Sequence, residues 1–466
     1  MNRQRTRSTV RGEVSNHERW KGTFDTALRY LRANGRNEAR FSPMKLHWPL
    51  AAALSLGTLS AFAAQPADHP DLPPLATVVQ AMESYPAVLA AKSGVKVEEA
   101  NQARLSAGSY EYTVRLGRTR RDEVPLHQRY KEWEVSLERP FRLPGKAGLD
   151  EALGKQGVEV SRWAQGDALH EAGRTLLSLW FGWHREHFQA EQWRGQAEAL
   201  KQQLETVNKR VRAGDAARLD AMLAEAALSQ AEAALSQARL REQVAATTLS
   251  ARFGGIRPPA NPVLTPPVPL TQGPDYWREE ILRHNHELGA ARAETRRWQL
   301  QASRAEADRL PDPTVGLRYG SERDGNEKIV GLALSIPLPG SARFAAARGV
   351  NAQAEMAAHQ EGGVLRKVEA EAANSYAAAG AAYDTWQKSK TVADKMQANA
   401  DLMAKAYALG EAGLPEVLMA RRQSMEAGLG ATLAQVDAAE SRYRLLLDAH
   451  QLWPLDGEEG PGHGHE

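Results

Sequence analysis

Four short stretches of the chain alternate apolar and polar positions with a period of two. In 110–117, "YEYTVRLG", Tyr110, Tyr112, Val114 and Leu116 share one face, with Glu111, Thr113 and Arg115 on the other. In 132–138 Trp133, Val135 and Leu137 oppose Glu132, Glu134, Ser136 and Glu138. In 314–320 Val315, Leu317 and Tyr319 oppose Thr314, Gly316 and Arg318. In 329–336 Val330, Leu332, Leu334 and Ile336 oppose Gly331, Ala333 and Ser335. This period predicts four strands. Around them run Ala-rich, proline-poor segments such as "QAEAALSQARL". They predict helices over 75–107 and 275–308, very long ones over 146–212 and 341–409, and a second pair over 216–253 and 415–450. Sixty-five helical residues span about 100 Å, too long for a globular core. Such rods must pair along their length, and small side chains let them approach closely. Strict heptads are not sustained, which disfavours a simple two-stranded coiled coil.

The same order of elements occurs twice. "KRVRAGDAARLDAMLA" (209–224) and "KAYALGEAGLPEVLMA" (405–420) match at an offset of 196, and the pairs Pro144-Gly145 and Pro339-Gly340 match at 195. Between the halves lies "RPPANPVLTPPVPLTQGP" (257–274), whose seven prolines exclude helix. The chain therefore divides into a repeat at 75–256, a Pro-rich linker at 257–274 and a second repeat at 275–452. A flexible tail at 453–466 follows.

Prolines mark where strand becomes rod. Pro140, Pro144 and Gly145 close the second strand, and Pro337, Pro339 and Gly340 close the fourth. Proline removes a ladder donor and sets up the turn. Pro311 and Pro313 do the same on entry to the third strand, whereas the first is entered through "SAGSY".

Composition sharpens this picture. The 466 residues include no cysteine, which excludes disulfides, thiol catalysis, a Cys zinc site and a lipid-modified N-terminal cysteine. Mean hydropathy is −0.51, so this is no polytopic helical membrane protein. The one long apolar run, from Met44, leads through a Lys to Ala61-Phe62-Ala63, the form of a secretory signal peptide over 44–63 cut after Ala63. Residues 1–43 hold ten Lys/Arg against four Asp/Glu without apolar periodicity, and read as a non-native or disordered extension. Without 1–63 the formal charge falls from +2 to about −5, so nothing favours nucleic-acid binding.

Alternating strands with aromatics outward suit a transmembrane β-barrel, and equally a half-buried soluble sheet. The export signal and the rods favour the membrane. Four strands cannot close a barrel, and an open edge in lipid leaves backbone groups unsatisfied. The chain must therefore oligomerise.

The order of elements, the repeat, "RPFRLPGK", "LALSIPLPG" and "YALGEAGLPEVLMA" resemble the TolC-type outer-membrane efflux proteins over 75–452. The resemblance is nearest to the outer-membrane component of heavy-metal and drug tripartite pumps. It implies a mainly α fold with a small β part: a homotrimer with a 12-stranded barrel in outer-membrane lipid and an α-helical barrel across the periplasm. It implies a passive conduit, working with a periplasmic adaptor and an inner-membrane pump. It also implies that Gly214, Gly410 and Pro415 form the periplasmic tip where the adaptor docks. Asp215, Asp220, Glu411 and Glu416, near those turns, are then candidate gate acids; helix N-terminal carboxylates complementing the dipole are the plainer account.

No phosphate loop, nucleophile elbow or zinc-protease motif occurs, and neither catalysis nor a cofactor is expected. His184 and His187, His284 and His286, and His463 and His465 form pairs. Such pairs are at most weak transition-metal ligands, and scattered solvated histidines are the plainer account. Trp180, Phe181 and Trp183 suit packing against a neighbouring rod. A periplasmic adaptor or an exported structural coiled coil are the alternatives; an adaptor has one hairpin, not two. Metal cations are the first expectation for cargo.

Overall fold

The helix expected over 75–107 is broken. A computed structural model describes residues 69–455, within the second of two units, Ala64–Glu466. The extension 1–43, the signal peptide 44–63 and His463 and His465 lie outside the described residues. Helix α1 (Leu75–Glu83) stops before Tyr85, and α2 (Pro86–Ala107) starts on Pro86. Proline forces the residue before it into extended backbone, and Tyr85 has φ −66° and ψ 134°. The helix expected over 275–308 breaks at the corresponding place by other means. Between α5 (Pro274–His284) and α6 (His286–Ala307), Asn285 is extended and its side chain accepts the Leu288 N–H at 2.7 Å.

The long elements match expectation. They are α3 (Lys146–Arg212), α4 (Arg218–Arg252), α7 (Ser341–Ala408) and α8 (Leu414–Asp448). The 67 and 68 residues of α3 and α7 make rods about 100 Å long. α3 pairs with α4, α7 pairs with α8, and α3 also packs on α8, α2 and α6. Ala224, Ala231 and Ala238, seven apart, are buried on α4, so a small-residue heptad does run along this helix. Where α3 crosses α6, Gly166 lies under the His286 ring and Gly289 under the Trp163 ring. A Cβ at Gly289 would come within 2.3 Å of the indole.

Strands β1 (Thr113–Glu123), β2 (Gln128–Pro140), β3 (Thr314–Glu322) and β4 (Glu327–Ser335) form one antiparallel sheet in the order β1-β2-β3-β4. The β2–β3 pairing joins the two halves of the chain, leaving β1 and β4 as edges. Tyr110 and Tyr112 precede β1, and Ile336 follows β4. The first hairpin extends well past the expected strands, through "RTRRDE" and "QRYK", where charge on both faces erases the period-two signal.

The sheet is fastened to the rods by ions. Lys146, 2% exposed, donates to the Leu310 carbonyl at 2.7 Å and to Asp312 at 2.9 Å, and lies 3.1 Å from Asp308. Asp150 lies 2.6 Å from Arg304 and 3.3 Å from Arg142. Burial alone would raise Asp308 and Asp312, but Arg304 and Lys146 on the first, and the Leu143 N–H and Lys146 on the second, hold both below the usual carboxylate range.

The main core lies partway along the rods, where Met82, Leu176, Phe181, Leu249, Phe253 and Leu447 pack together. A second cluster joins Trp277, Leu288, Val368 and Leu445. Residues 257–273 form neither helix nor strand, but they are no free tether: Leu264 packs on the main core and Thr265 bonds Asp71. Trp453 and Leu455, at the start of the tail expected over 453–466, are buried in that core.

Candidate functional site

The register assembles the alternating residues into rows across the sheet. Val114, Leu137, Leu317 and Leu332 form one row, and Leu116, Val135, Tyr319 and Val330 the next. Trp133 stands one row beyond, and Val315 and Leu334 one row before, beside Arg139. Of these apolar residues all but Val135 are exposed, Leu332 at 85%, as is Tyr112. A soluble half-buried sheet would cover this face. Instead the described chain leaves it bare, with no helix packed on it.

The opposite face is charged and internally paired. Arg115 lies 3.3 Å from Glu138, Arg318 lies 2.6 Å from Glu134, and Arg121 lies 3.1 Å from Glu132 and 2.8 Å from Glu322. One apolar face and one charged face is the pattern of barrel strands.

The prolines stand between strand and rod. Pro140 ends β2, Phe141 donates its N–H to the Pro313 carbonyl at 2.8 Å, and Pro144 precedes Gly145, the cap of α3. Pro337 and Pro339 follow β4, and Gly340 caps α7. The two turns are not copies: Gly145 has φ +87°, whereas Gly340 is extended.

The far ends of the rods are near-copies. Gly214 and Gly410 have φ 80° and 79°. Behind each glycine the next residue closes the helix, Asp215 N–H to Arg210 O at 2.8 Å and Glu411 N–H to Ala406 O at 2.9 Å. These are Schellman stops, which need a left-handed residue. Pro415 sits in the first turn of α8. Val207, Ala224 and Leu414 form one buried cluster with Tyr407 against it, and the Arg210 guanidinium lies 4.9 Å from the Tyr407 ring centre. Both turns therefore lie side by side.

The four acids divide into two kinds. Asp220 and Glu416 occupy the first turns of α4 and α8, where the dipole favours them. Asp215 and Glu411 follow the glycines and are exposed, but Asp215 bonds Arg210 at 2.9 Å. Between the hairpins, α3, α7 and α8 line a groove of about 630 Å3 with Gln192, Gln203, Asp394, Asp401 and Arg421.

The described histidines of these pairs pack against aromatic rings and other histidines. His187 stacks on Trp183 and bonds Glu242 at 2.6 Å; His184 is buried beside Trp183 and Phe188. Burial, aided by His187, pushes its pKa down to about 4. His284 and His286 meet two histidines that spacing along the chain does not reveal, His170 and His450, with ring centres 4.7–5.7 Å apart around His450. Among the described residues no group of three or more His, Asp or Glu is arranged to hold a metal ion. Trp180, Phe181 and Trp183 are core residues. No described helix is long and apolar enough to cross a membrane.

Residues 277–447 match the family model described as outer membrane efflux protein. Over that stretch the chain is similar to an outer membrane efflux protein domain. That domain defines a family of channels, not enzymes, and it spans α5 of this structure to α8. In a sequence comparison, no curated protein matches. Solved structures with this fold include the CmeC outer membrane channel of Campylobacter jejuni, at TM-score 0.68 and 12% identity, covering 88% of this chain and 94% of that one. The outer membrane protein VceC of Vibrio cholerae gives 0.66 and 18%, covering 81% and 95%. The open state of the MtrE outer membrane channel of Neisseria gonorrhoeae gives 0.61 and 17%, covering 82% and 90%.

Proposed function

We propose that this chain is the exit duct of a tripartite efflux system. Three copies pair β4 of one with β1 of the next, closing twelve strands in the outer membrane, while their rods form a tunnel through the periplasm. An inner-membrane pump and a periplasmic adaptor deliver the cargo, and the duct passes it without chemistry. The observation that carries this reading is the bare apolar face of a four-stranded sheet whose two edges are unpaired, standing at one end of rods about 100 Å long.

In this reading the hairpin turns at 124–126 and 323–325 face the exterior. Gly214, Gly410 and Pro415 form the docking tip, and Asp215, Asp220, Glu411 and Glu416 ring the entrance. Acidic rings favour cations at a constriction, which supports a cationic cargo, metal ions first. The test is fractionation followed by planar-bilayer recording. An outer-membrane, detergent-requiring trimer with stepwise conductance is expected; a soluble periplasmic monomer overturns the proposal.

A further inference from the structure

Beyond the apolar rows, the outward face of the sheet becomes basic. One row past Leu116, Val135, Tyr319 and Val330 the register aligns Arg118, Trp133, Ser321 and Lys328. One row further, Arg120 stands directly opposite Lys131, and beyond them Asp122 opposes Arg129. Two residues of strand advance about 7 Å, so these rows lie about 7 and 14 Å past the last apolar row. Arg118, Arg120, Arg129, Lys131 and Lys328 are all exposed. Asp122 offsets them in part, at 3.4 Å from Arg120 and 3.5 Å from Arg129, and the Asp324 carboxylate accepts the Lys131 backbone N–H at 2.8 Å.

The two faces of the sheet treat cations differently. On the charged inner face Arg115, Arg121 and Arg318 each meet a carboxylate. On the outer face Arg118, Lys131 and Lys328 make no ion pair among the described residues, and Arg120 opposes Lys131, a like-charge juxtaposition that destabilises a sheet. At the rod end of the same face stands a single cation, Arg139. It is already engaged, bonding the Tyr110 carbonyl and the Tyr112 hydroxyl at 3.1 Å each. The unsatisfied positive charge is thus confined to one end of the apolar band, with Trp133 at the boundary.

Given the barrel reading above, on which this step rests, that end lies in the headgroup layer of the outer leaflet. We infer that Arg118, Lys131 and Lys328, with Arg120 beside them, bind phosphate groups of phosphorylated lipid headgroups in that leaflet. Guanidinium and ammonium groups just above an apolar band are placed to meet headgroup phosphates while Trp133 sits at the interface. The occupant is the lipid, because the cations continue the lipid-facing rows and not the inner face.

The experiment uses the purified full-length trimer and, as probe, diphosphorylated lipid A. Its controls are the same lipid with phosphates removed, and inorganic phosphate alone. Binding is read by native mass spectrometry and by the shift in melting temperature. The wild type should retain the phosphorylated lipid. The triple variant Arg118→Gln, Lys131→Gln, Lys328→Gln should bind it on the order of 100-fold more weakly, at roughly fivefold per basic residue. Arg115→Gln, on the inner face, should bind as wild type. Equal binding by the triple variant, no preference for the phosphorylated lipid, or an equal shift with inorganic phosphate overturns the inference. A separate arm tests the barrel reading: Leu332→Cys, labelled with a dye in this cysteine-free chain, should be quenched by brominated acyl chains. Quenching with undiminished lipid binding by the triple variant defeats the inference alone; no quenching defeats the barrel reading and the inference with it.

Discussion

The Tyr443 hydroxyl donates to the Asp71 carboxylate at 2.9 Å, across 372 residues of chain. The same carboxylate accepts the Thr265 N–H and hydroxyl, each at 2.6 Å, and the Asp71 carbonyl accepts the Trp180 indole N–H at 2.7 Å. One buried residue therefore ties the start of the first half, the connection between halves and the last helix to a single point. Asp71→Ala should destabilise the protein by about 2–4 kcal/mol, because it strands buried donors. Tyr443→Phe should cost less, and the double variant little more than Asp71→Ala alone. Urea or thermal melts of the purified protein read these differences.

Acid should act through His184. Its folded pKa, about 4, lies below the ordinary value of 6.5 because burial disfavours the imidazolium, with His187 adding to the effect. Stability contributed by the neutral ring is complete above 6.5 and is lost as pH falls from 6.5 toward 4, since only the unfolded chain takes up the proton in that window. The loss approaches about 3 kcal/mol per chain near pH 4. His184→Phe should flatten the decline in melting temperature over this window. An unchanged slope would show that the ring is already solvated.

Leu332→Arg should impair assembly in the outer membrane by about 2–4 kcal/mol, as a charge at mid-bilayer depth does in barrels. Ser335 and Gly331, on the other face, should accept polar residues; a Cβ at Gly331 meets open space. Heat-modified mobility of the assembled protein on gels measures this. Wild-type assembly of Leu332→Arg would reverse the assignment of faces.

Gly214→Val and Gly410→Val place a branched side chain in left-handed backbone, at about 1–2 kcal/mol each. Efflux should be lost while the protein stays assembled in the outer membrane. Neutralising Asp215, Asp220, Glu411 and Glu416 should alter single-channel conductance or its block by multivalent cations. Unchanged recordings and full efflux in both sets would leave the turns a purely structural role.

Much of this was legible in the sequence because its signals are local. Glycine at 214 and 410, proline at 140 and 337 and the alternation about Leu332 each act within a few residues. The rods could be bounded to within a residue or two at Lys146, Arg212 and Ser341. What escaped has more than one cause. The break at Pro86 had a local cause that the long Ala-rich run masked, and the one at Asn285 requires a cap that any helix interior disfavours. The polar half of the first hairpin has no period, since both of its faces carry exposed charge. His170 and His450 join His284 and His286 only because α3, α6 and the end of α8 converge. The outward cations were invisible for a different reason: the sequence did not extend the first strand past Gly117, and only the register brings Arg120 opposite Lys131.

The order β1-β2-β3-β4 follows the chain, so every hydrogen-bonded pairing within one copy can form as soon as that copy is made, and the last two edges cannot. In the trimer proposed above, completion is then a matter of encounter. A lone copy waits with two rows of open backbone groups and a greasy face, and its dwell time in that condition scales inversely with how many sisters are nearby. Low expression should therefore be more hazardous than high expression up to the point of aggregation. Any quality-control protease that reads unpaired strands acts in effect as a counter of copies.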